Sequence, residues 1–360
     1  MKIQKVELAN KIGKLKSIVP KRTPKTALQT VLYKEGYLIA SDLEITVTVK
    51  LEGVTDGLDE RFLIPESMFS LIGSLPAGEV EIKAKDIING KRTGLELKSG
   101  KISNKLQAES ADMFPATKEM GEEAVRAAID AEDLKAGILH VLYAVGDSAA
   151  NKMMESLCMD CKNGELNFTG LDGHMIAWDK TPLEGEFKLL IPKRACQQIL
   201  NLDPQGKVQI TSDGFTARFE TEYVTIETRI VSGDFFKTER MFLEMPITAA
   251  VNRKKFLDAI NRANLLRGEG QAVIISFDTD TMKIKLTNST ADYEEEVELL
   301  ESINEGIKIG MDPRLLLAAL KSFDSENIYI NMVDPKSPMK LLSDESDLKA
   351  VVLPIAIRTD

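Results

Sequence analysis

The chain has 360 residues, a net charge of −10, 43% hydrophobic residues and 28% charged residues. This composition is typical of soluble globular proteins and excludes a chain dominated by disorder. The length predicts two or three domains, each large enough to bury a core.

Export and membrane insertion are also disfavoured by the sequence. No apolar run approaches the roughly 18 residues that a membrane-spanning helix needs. Lysines interrupt the apolar residues of the N-terminus, so the continuous apolar centre of a signal peptide is missing. We therefore expect a cytoplasmic protein that does not associate with a membrane.

The predicted elements follow the same order three times along the chain. A helix is predicted first in each copy, over residues 6–18, 131–145 and 252–266. A hairpin-like pair of strands follows each helix, and each pair closes on a polar residue, at Asp42, Asp172 and Asn288. This recurrence indicates internal repeats.

A second helix is predicted after a proline in each copy, at Pro65, Pro192 and Pro313. Apolar or small residues occur at the third, fourth, seventh and tenth positions after each proline: Met68, Phe69, Ile72 and Leu75; Ala195, Cys196, Ile199 and Leu202; Leu316, Leu317, Leu320 and Phe323. This spacing is typical of an amphipathic helix, and proline suits its first turn. The prolines are 127 and 121 residues apart.

An alternating strand follows each second helix, at residues 80–82, 208–210 and 328–330. Each copy thus contains a helix, strands, a second helix and more strands. We predict an α+β fold with three repeated domains, 1–122, 123–247 and 248–360. Each domain is expected to pack two helices on antiparallel sheets.

Positive charge is concentrated on the predicted helices. Residues 5–25 carry a net charge of +6 and residues 252–267 carry +4, and the six helical segments together carry +11. The rest of the chain therefore carries −21. If the helices share one surface, that surface attracts phosphates without reading bases. For any single helix, the alternative interpretation is that its lysines keep the helix surface in contact with water and bind no phosphate.

The sequence contains no pattern typical of catalysis or metal binding. It has two histidines and no phosphate-binding loop, zinc-protease or serine-hydrolase motif. Cys158 and Cys161 form a lone CxxC in a predicted strand, where positions three apart face opposite sides. We therefore predict unrelated thiols, no metal, no cofactor and no catalytic residue.

Several segments resemble those of one known family. Residues 171–177, LDGHMIA, are similar to the "TDGHRLA" segment of the bacterial DNA polymerase III beta subunit, the DNA sliding clamp. Residues 74–82 resemble its "GLPEG" turn and strand, and residues 111–115 and 232–235 resemble its two "DFP" segments. Residues 351–355 are similar to its "VVMPM" ending. The order and spacing of these segments cover essentially the whole chain.

The resemblance implies a head-to-tail homodimeric ring of six similar domains, with helices lining the hole and sheets forming the outer wall. It implies a non-catalytic processivity factor that encircles duplex DNA without sequence preference. A hydrophobic cleft is expected to bind short peptides of the DNA polymerase III alpha subunit, the clamp loader and repair proteins.

Matched positions give the expected site residues. The peptide cleft is predicted to comprise Met154, Leu171, Gly173, His174, Met175, Ile176, Leu243, Val351, Val352, Leu353 and Pro354. The DNA-facing residues are predicted to be Lys21, Arg22, Lys193 and Arg194. The dimer interface is predicted to include Leu106, Leu265 and Leu266.

The chain departs from the family at several of these positions. Leu171 and Met175 stand where the family has threonine and arginine, and its "FPDY" is replaced by residues 235–238, FFKT. A more apolar cleft with an altered peptide preference is the expected consequence. Methionine is flexible and suits surfaces that accept several partners.

Two other functions stay open at this point. The chain could be a clamp-like scaffold for protein interactions that never encircles DNA. It could also be an enzyme built on an unrelated repeat fold. Retention on closed circular DNA, lost when the circle is cut, distinguishes a clamp from both.

Overall fold

The computed structural model describes residues 1–88, 92–116, 120–121, 124–147, 151–303 and 305–357. The chain divides into two compact units. Unit 1 comprises Met1–Glu132 and Gln197–Ile230, and unit 2 comprises Asp133–Cys196 and Val231–Asp360. The three-domain division stays a prediction, and its first boundary, between residues 122 and 123, lies outside the described residues.

Six α-helices occur in the described residues: α1 (Lys5–Leu15), α2 (Glu66–Ser74), α3 (Ala131–Leu142), α4 (Lys193–Leu202), α5 (Arg253–Leu266) and α6 (Pro313–Lys321). They lie where the sequence predicts helices, two in each predicted domain. Side-chain caps fix two of the starts. Asn252 accepts a hydrogen bond from the Lys255 amide, and Asp312 accepts one from the Arg314 amide.

The strands of the first half are β1 (Lys2–Gln4), β2 (Thr30–Lys34), β3 (Tyr37–Ser41), β4 (Ile45–Lys50), β5 (Arg61–Pro65), β6 (Glu79–Ile88), β7 (Arg92–Ser99), β8 (Ile102–Glu109), β9 (Val125–Asp130), β10 (Ser156–Lys162), β11 (Glu165–Leu171) and β12 (Met175–Pro182). Those of the second half are β13 (Phe187–Pro192), β14 (Lys207–Ser212), β15 (Thr216–Glu220), β16 (Val224–Arg229), β17 (Ile247–Asn252), β18 (Val273–Phe277), β19 (Thr281–Thr287), β20 (Asp292–Glu298), β21 (Ile307–Met311), β22 (Asn327–Met332), β23 (Met339–Leu342) and β24 (Lys349–Val352).

Each unit contains one eight-stranded and one four-stranded antiparallel sheet. In unit 1 the strand orders are β5-β2-β3-β4-β16-β15-β14-β9 and β1-β6-β7-β8. In unit 2 they are β13-β10-β11-β12-β24-β23-β22-β17 and β20-β19-β18-β21. The predicted α+β class with helices on antiparallel sheets is confirmed. Both large sheets join strands that are far apart in sequence, through β4–β16 and β12–β24.

The largest core of unit 2 lies between its helices and its two sheets. Phe256 and Ile260 of α5, Leu316 and Leu320 of α6 and inward residues of both sheets, such as Ile284, form one fully buried cluster. These are the apolar positions that the helical spacing predicts to face inward. Their burial is the main stabilising contribution to the unit.

The expected helix follows each of the three prolines, but only one proline lies inside the first helical turn. Pro313 occupies the first turn of α6. Pro65 and Pro192 instead end β5 and β13, immediately before α2 and α4. Both strands are edge strands of their sheets, where a residue without an N–H is tolerated.

Candidate functional site

The site begins with an apolar band on one face of the large sheet of unit 2. Because side chains alternate along strands, Cys158, Leu171 and Leu190 point to the same face. They pack with Phe235 in one buried cluster. Phe235 belongs to residues 231–242, termed here the covering segment, and the Val231 amide donates to the Leu190 carbonyl (3.0 Å).

The turn between β11 and β12 forms one rim of the site. The Asp172 carboxylate accepts hydrogen bonds from the amides of His174 (2.8 Å) and Met175 (2.9 Å). Gly173 has a φ of +90°, a conformation that residues with a Cβ rarely adopt. The predicted strand-closing role of Asp172 is thereby confirmed, since β11 ends at Leu171 and β12 begins at Met175.

The C-terminal strand β24 lies beside this turn. Val351 pairs with Ile176, and Val352 pairs with Met175. The Leu353 amide donates to the His174 carbonyl (2.9 Å), which extends the contact beyond the strand. Residues that are almost 180 positions apart in sequence are thus placed side by side.

These elements enclose an open cavity of about 210 Å³, termed here the cleft. The cleft is lined by Leu171, Gly173, His174, Met175, Ile176, Phe236, Lys237, Thr238, Met241, Val351 and Leu353. Most of these side chains are apolar, while His174, Lys237 and Thr238 supply polar groups. Such a surface suits a short apolar ligand oriented by a few polar contacts.

Seven of the eleven residues predicted for the cleft line it. The other four, Met154, Leu243, Val352 and Pro354, do not line it. Met154 packs against the apolar band around Leu171. Val352 is buried in the core, and Leu243 is exposed with its carbonyl bonded to the Lys340 ammonium (2.7 Å). Pro354 is half-buried just beyond the lining residues. The role of all eleven in binding stays a prediction.

Four lining residues are absent from the predicted set of cleft residues: Phe236, Lys237, Thr238 and Met241. Only the departure at residues 235–238 links the first three to the cleft in the sequence. They belong to the covering segment, whose backbone path depends on the burial of Phe235 against the sheet. The matching "DFP" segment marks this region in the sequence. The substitutions at residues 235–238 predict a changed cleft, but they do not show that residues 236–241 form one of its walls.

Unit 1 contains the same turn between β3 and β4, with different chemistry. Asp42 accepts from the amides of Glu44 (2.9 Å) and Ile45 (2.7 Å), as Asp172 does in unit 2. The adjoining cavity has several polar lining residues: Ser41, Glu44, Thr46, Asp213, Glu227, Thr228 and Arg229. The apolar cleft of unit 2 is therefore a property of its side chains and not of the repeated backbone.

The residues predicted to face DNA differ in their environment. Lys21 and Arg22, which follow α1, are exposed, and so is Arg194 on α4. The Lys193 ammonium donates to the Val145 carbonyl (2.6 Å) and pairs with Asp147 (2.8 Å). Lys193 is therefore anchored within unit 2, and its predicted contact with DNA is untested.

The residues predicted for a dimer interface lie at two exposed edges. Leu265 and Leu266 end α5, with relative exposures of 76% and 44%. Leu106 is half-buried on β8, an edge strand of the small sheet of unit 1. Large exposed apolar side chains of this kind are candidates for contact with another chain.

The three cysteines and His140 are buried or held by hydrogen bonds, as expected of side chains with a structural role. Cys158, Cys161 and Cys196 are buried free thiols, and burial raises the pKa of Cys158 and of Cys196 to about 12. His140 Nδ1 lies 2.6 Å from Asp179 Oδ2, and this hydrogen bond raises the pKa of His140 despite partial burial. Within the described ranges, no group of three metal-ligating side chains is assembled.

Among the helices of the described residues, none has the length and apolar character needed to cross a bilayer.

Comparison with known proteins gives one consistent family. Residues 244–356 match the family model of the DNA polymerase III beta subunit, C-terminal domain. The beta sliding clamp of Staphylococcus epidermidis is 24% identical over 340 residues, which cover 89% of this chain and 88% of that protein.

Solved structures show the same fold. A DNA polymerase III subunit beta sliding clamp from Pseudomonas aeruginosa, bound to griselimycin, is 20% identical with a TM-score of 0.90, and the match covers 99% of both chains. A DNA polymerase sliding clamp from Bacillus subtilis is 22% identical with a TM-score of 0.88, again over 99% of both chains. The predicted resemblance to the bacterial DNA polymerase III beta subunit is confirmed.

Proposed function

We propose that this chain is a DNA sliding clamp, a non-catalytic processivity factor that encircles duplex DNA and tethers replication proteins through the cleft. The observation that carries the proposal is the agreement with beta sliding clamps along nine tenths of the chain. The apolar cleft, built from a turn that resembles the family's own, supports the same function. A protein with this function works in the cytoplasm, where bacterial DNA lies.

A ring requires a second copy of the chain, and two edge strands are suited to join the copies. β8 and β20 each lie at the edge of a four-stranded sheet, with one side unpaired in its sheet. β8 carries one lysine, Lys105, and one glutamate, Glu109, whereas β20 carries four glutamates in the run DYEEEVE. Pairing β8 of one copy with β20 of another satisfies both edges and is head-to-tail.

Two exposed leucines and one half-buried leucine supply the apolar part of the same interface. Leu265 and Leu266 lie at the end of α5, and α5 packs against β20 in the small sheet of unit 2. Leu106 lies on β8 itself. Burial of these side chains between copies adds the hydrophobic contribution that strand pairing alone lacks.

Retention on DNA then depends on enclosure, with weak phosphate contacts from the helices. Lys21, Arg22 and Arg194 are the candidates for these contacts. Contacts to phosphates exchange quickly and carry no sequence information, which permits sliding. No cofactor is required for such a role.

The cleft is proposed to receive short apolar peptides of the DNA polymerase III alpha subunit and of the clamp loader. Its walls combine the turn between β11 and β12, the C-terminal strand and the covering segment. An apolar pocket with a few polar groups at its rim binds a peptide through side-chain burial and fixes its direction through hydrogen bonds.

The decisive experiment measures retention on nicked circular and linear duplex DNA after loading. We expect the protein to stay on the circle and to be lost within minutes once the circle is cut. A clamp-like scaffold that binds proteins only would show no dependence on DNA topology. Equal retention on circular and linear DNA would contradict the proposal.

A charge variant tests the assignment of the DNA surface. The double variant Lys21→Ala/Arg22→Ala removes two candidate phosphate contacts from each copy, four in the dimeric ring. The magnitude of the slope of log affinity against log salt concentration should therefore fall by up to about 3.6. The matched control Lys283→Ala/Lys285→Ala removes two lysines that are paired with glutamates on β20. An unchanged slope in the first variant would assign the DNA surface elsewhere.

A further inference from the structure

A second cavity adjoins the cleft and is not explained by the proposed function. It has a volume of about 290 Å³ and shares two walls with the cleft, Phe236 and Thr238. We term it the flank pocket. It is lined by Cys158, Asp160, Lys162, Asn167, Thr169, Trp178, Lys188, Phe235, Phe236, Thr238, Phe242 and Lys349.

The floor of the flank pocket is aromatic. Trp178 on β12 lies directly opposite Thr169 on one side and Lys349 on the other. The ring of Phe242, in the covering segment, packs against the Trp178 ring with 6.0 Å between the ring centroids. The Lys349 ammonium lies over the same ring, 4.6 Å from its centroid. This cation–π contact holds the lysine at the edge of an apolar surface.

The rim of the flank pocket is basic. Lys162 and Lys188 both pair with Asp160, at 3.1 and 3.6 Å. With Lys349, the lining contains three lysines and one aspartate, a net charge of +2. The whole chain carries −10, so the pocket is a local positive region on an acidic protein. Such a region attracts carboxylates, because one aspartate cannot neutralise three ammonium groups.

The position of the flank pocket identifies what can reach it. A chain bound in the cleft that continues past Phe236 and Thr238 enters the flank pocket directly. Its backbone would pass over the aromatic floor, while its side chains would meet Lys349 and Lys188. The wall residues belong to the covering segment, so both cavities are positioned by the same burial of Phe235.

We propose that the flank pocket binds acidic side chains that adjoin the apolar core of a partner peptide seated in the cleft. This inference rests on the proposed function of the cleft and specifies which partners it prefers. Peptides with aspartate or glutamate beside the apolar core bind more tightly than peptides with neutral residues there. Lys349 is the residue that most directly reads this charge.

The test uses a core peptide and four extended peptides, with titration calorimetry on the full-length protein. The core peptide carries two leucines and a phenylalanine between neutral polar residues. The acidic peptides add three aspartates at either end, and the serine peptides add three serines instead. Trp178 is the only tryptophan of the chain, so its fluorescence reports directly on the flank pocket.

We expect the acidic extension, at the end that passes Phe236, to bind about fivefold more tightly than the serine extension, as two partly exposed ion pairs contribute. The gain should vanish at about 1 M salt, where screening acts within about 3 Å. Lys349→Glu should abolish the gain and leave core-peptide binding unchanged. The matched control Lys285→Glu should retain the gain.

The outcomes separate this inference from the proposed function. If the core peptide does not bind, the cleft assignment and this inference both fall. If the core peptide binds but the acidic extension gives no gain, only the inference is wrong. A gain that persists in Lys349→Glu without a change in Trp178 fluorescence would indicate general charge attraction and would also overturn the inference.

Discussion

Replacement of Leu353 by aspartate offers a sharp test of the cleft. Leu353 lines the cleft, and 36% of its surface is exposed. Only its backbone is needed for the bond to His174, because the Leu353 amide is the donor. The variant should therefore fold normally while placing a carboxylate in the apolar cavity.

The size of the effect follows from the exposed fraction. Full burial of a leucine side chain contributes about 1.5–3 kcal/mol, so covering its remaining third with a ligand contributes about 0.5–1 kcal/mol. Leu353→Ala should therefore weaken peptide binding by only about two- to fivefold. Leu353→Asp must in addition desolvate a carboxylate, which costs several kcal/mol, and should weaken binding by about 100-fold or more.

The assay is titration calorimetry with the core peptide, together with a thermal melt of each variant. Leu300→Asp is the matched control, because Leu300 lies in the same unit, is 52% exposed and does not line the cleft. It should bind the peptide like the parent protein. Normal peptide affinity in a folded Leu353→Asp protein would refute the assignment of the cleft as the peptide site.

Three further predictions test packing, protonation and assembly. Gly170→Ala makes the new Cβ clash with the Val141 carbonyl oxygen, so the free energy of unfolding in urea should fall by about 2–3 kcal/mol. Gly13→Ala, with open space around the new Cβ, should be neutral or stabilising. The pKa of His140 is higher in the folded state than in the unfolded state, because the imidazole is paired with Asp179. This pairing stabilises the folded protein fully at pH values below the unfolded-state pKa of about 6.5. The stabilisation is lost as the pH rises through the folded-state pKa. The stability deficit of His140→Gln should therefore be larger at about pH 5.5 than at about pH 9, and an equal deficit would contradict this reasoning. Leu265→Asp should shift the mass measured by size-exclusion chromatography from twice the 39.8 kDa chain toward one chain. The control Leu139→Asp changes another exposed helical leucine, 58% exposed against 76% for Leu265, and should stay dimeric.

The repeated helices and strands were predictable because their signals are local. The apolar spacing of α6, for example, places Leu316, Leu317 and Leu320 on one buried stripe, and the structure buries all three. The strand before Asp172 ends where the sequence places its polar residue. Periodicity and turn chemistry act within a few positions, so the sequence alone reveals them.

Features that depend on distant partners were not predictable. The use of Pro65 and Pro192 at the ends of strands depends on β5 and β13 being sheet edges. The internal bonds of the Lys193 ammonium depend on the position of residues 145–147. The walls of the cleft from residues 236–241 depend on the burial of Phe235. In each case the deciding contact lies far away in sequence.

The two related turns show how side chains turn a common backbone into a binding site. Asp42 and Asp172 each accept hydrogen bonds from two backbone amides at equivalent positions of the turn. Each turn also borders a strand from a distant part of the chain. In unit 1 the neighbouring strand brings Glu227 and Arg229, whereas in unit 2 it brings Val351 and Leu353. The backbone therefore sets the position of a cavity, and the lining side chains, including those of the segment that pairs with β4 or β12, set what can bind. Exchange of the polar and apolar pairs between the two strands should transfer peptide affinity only if this reasoning holds.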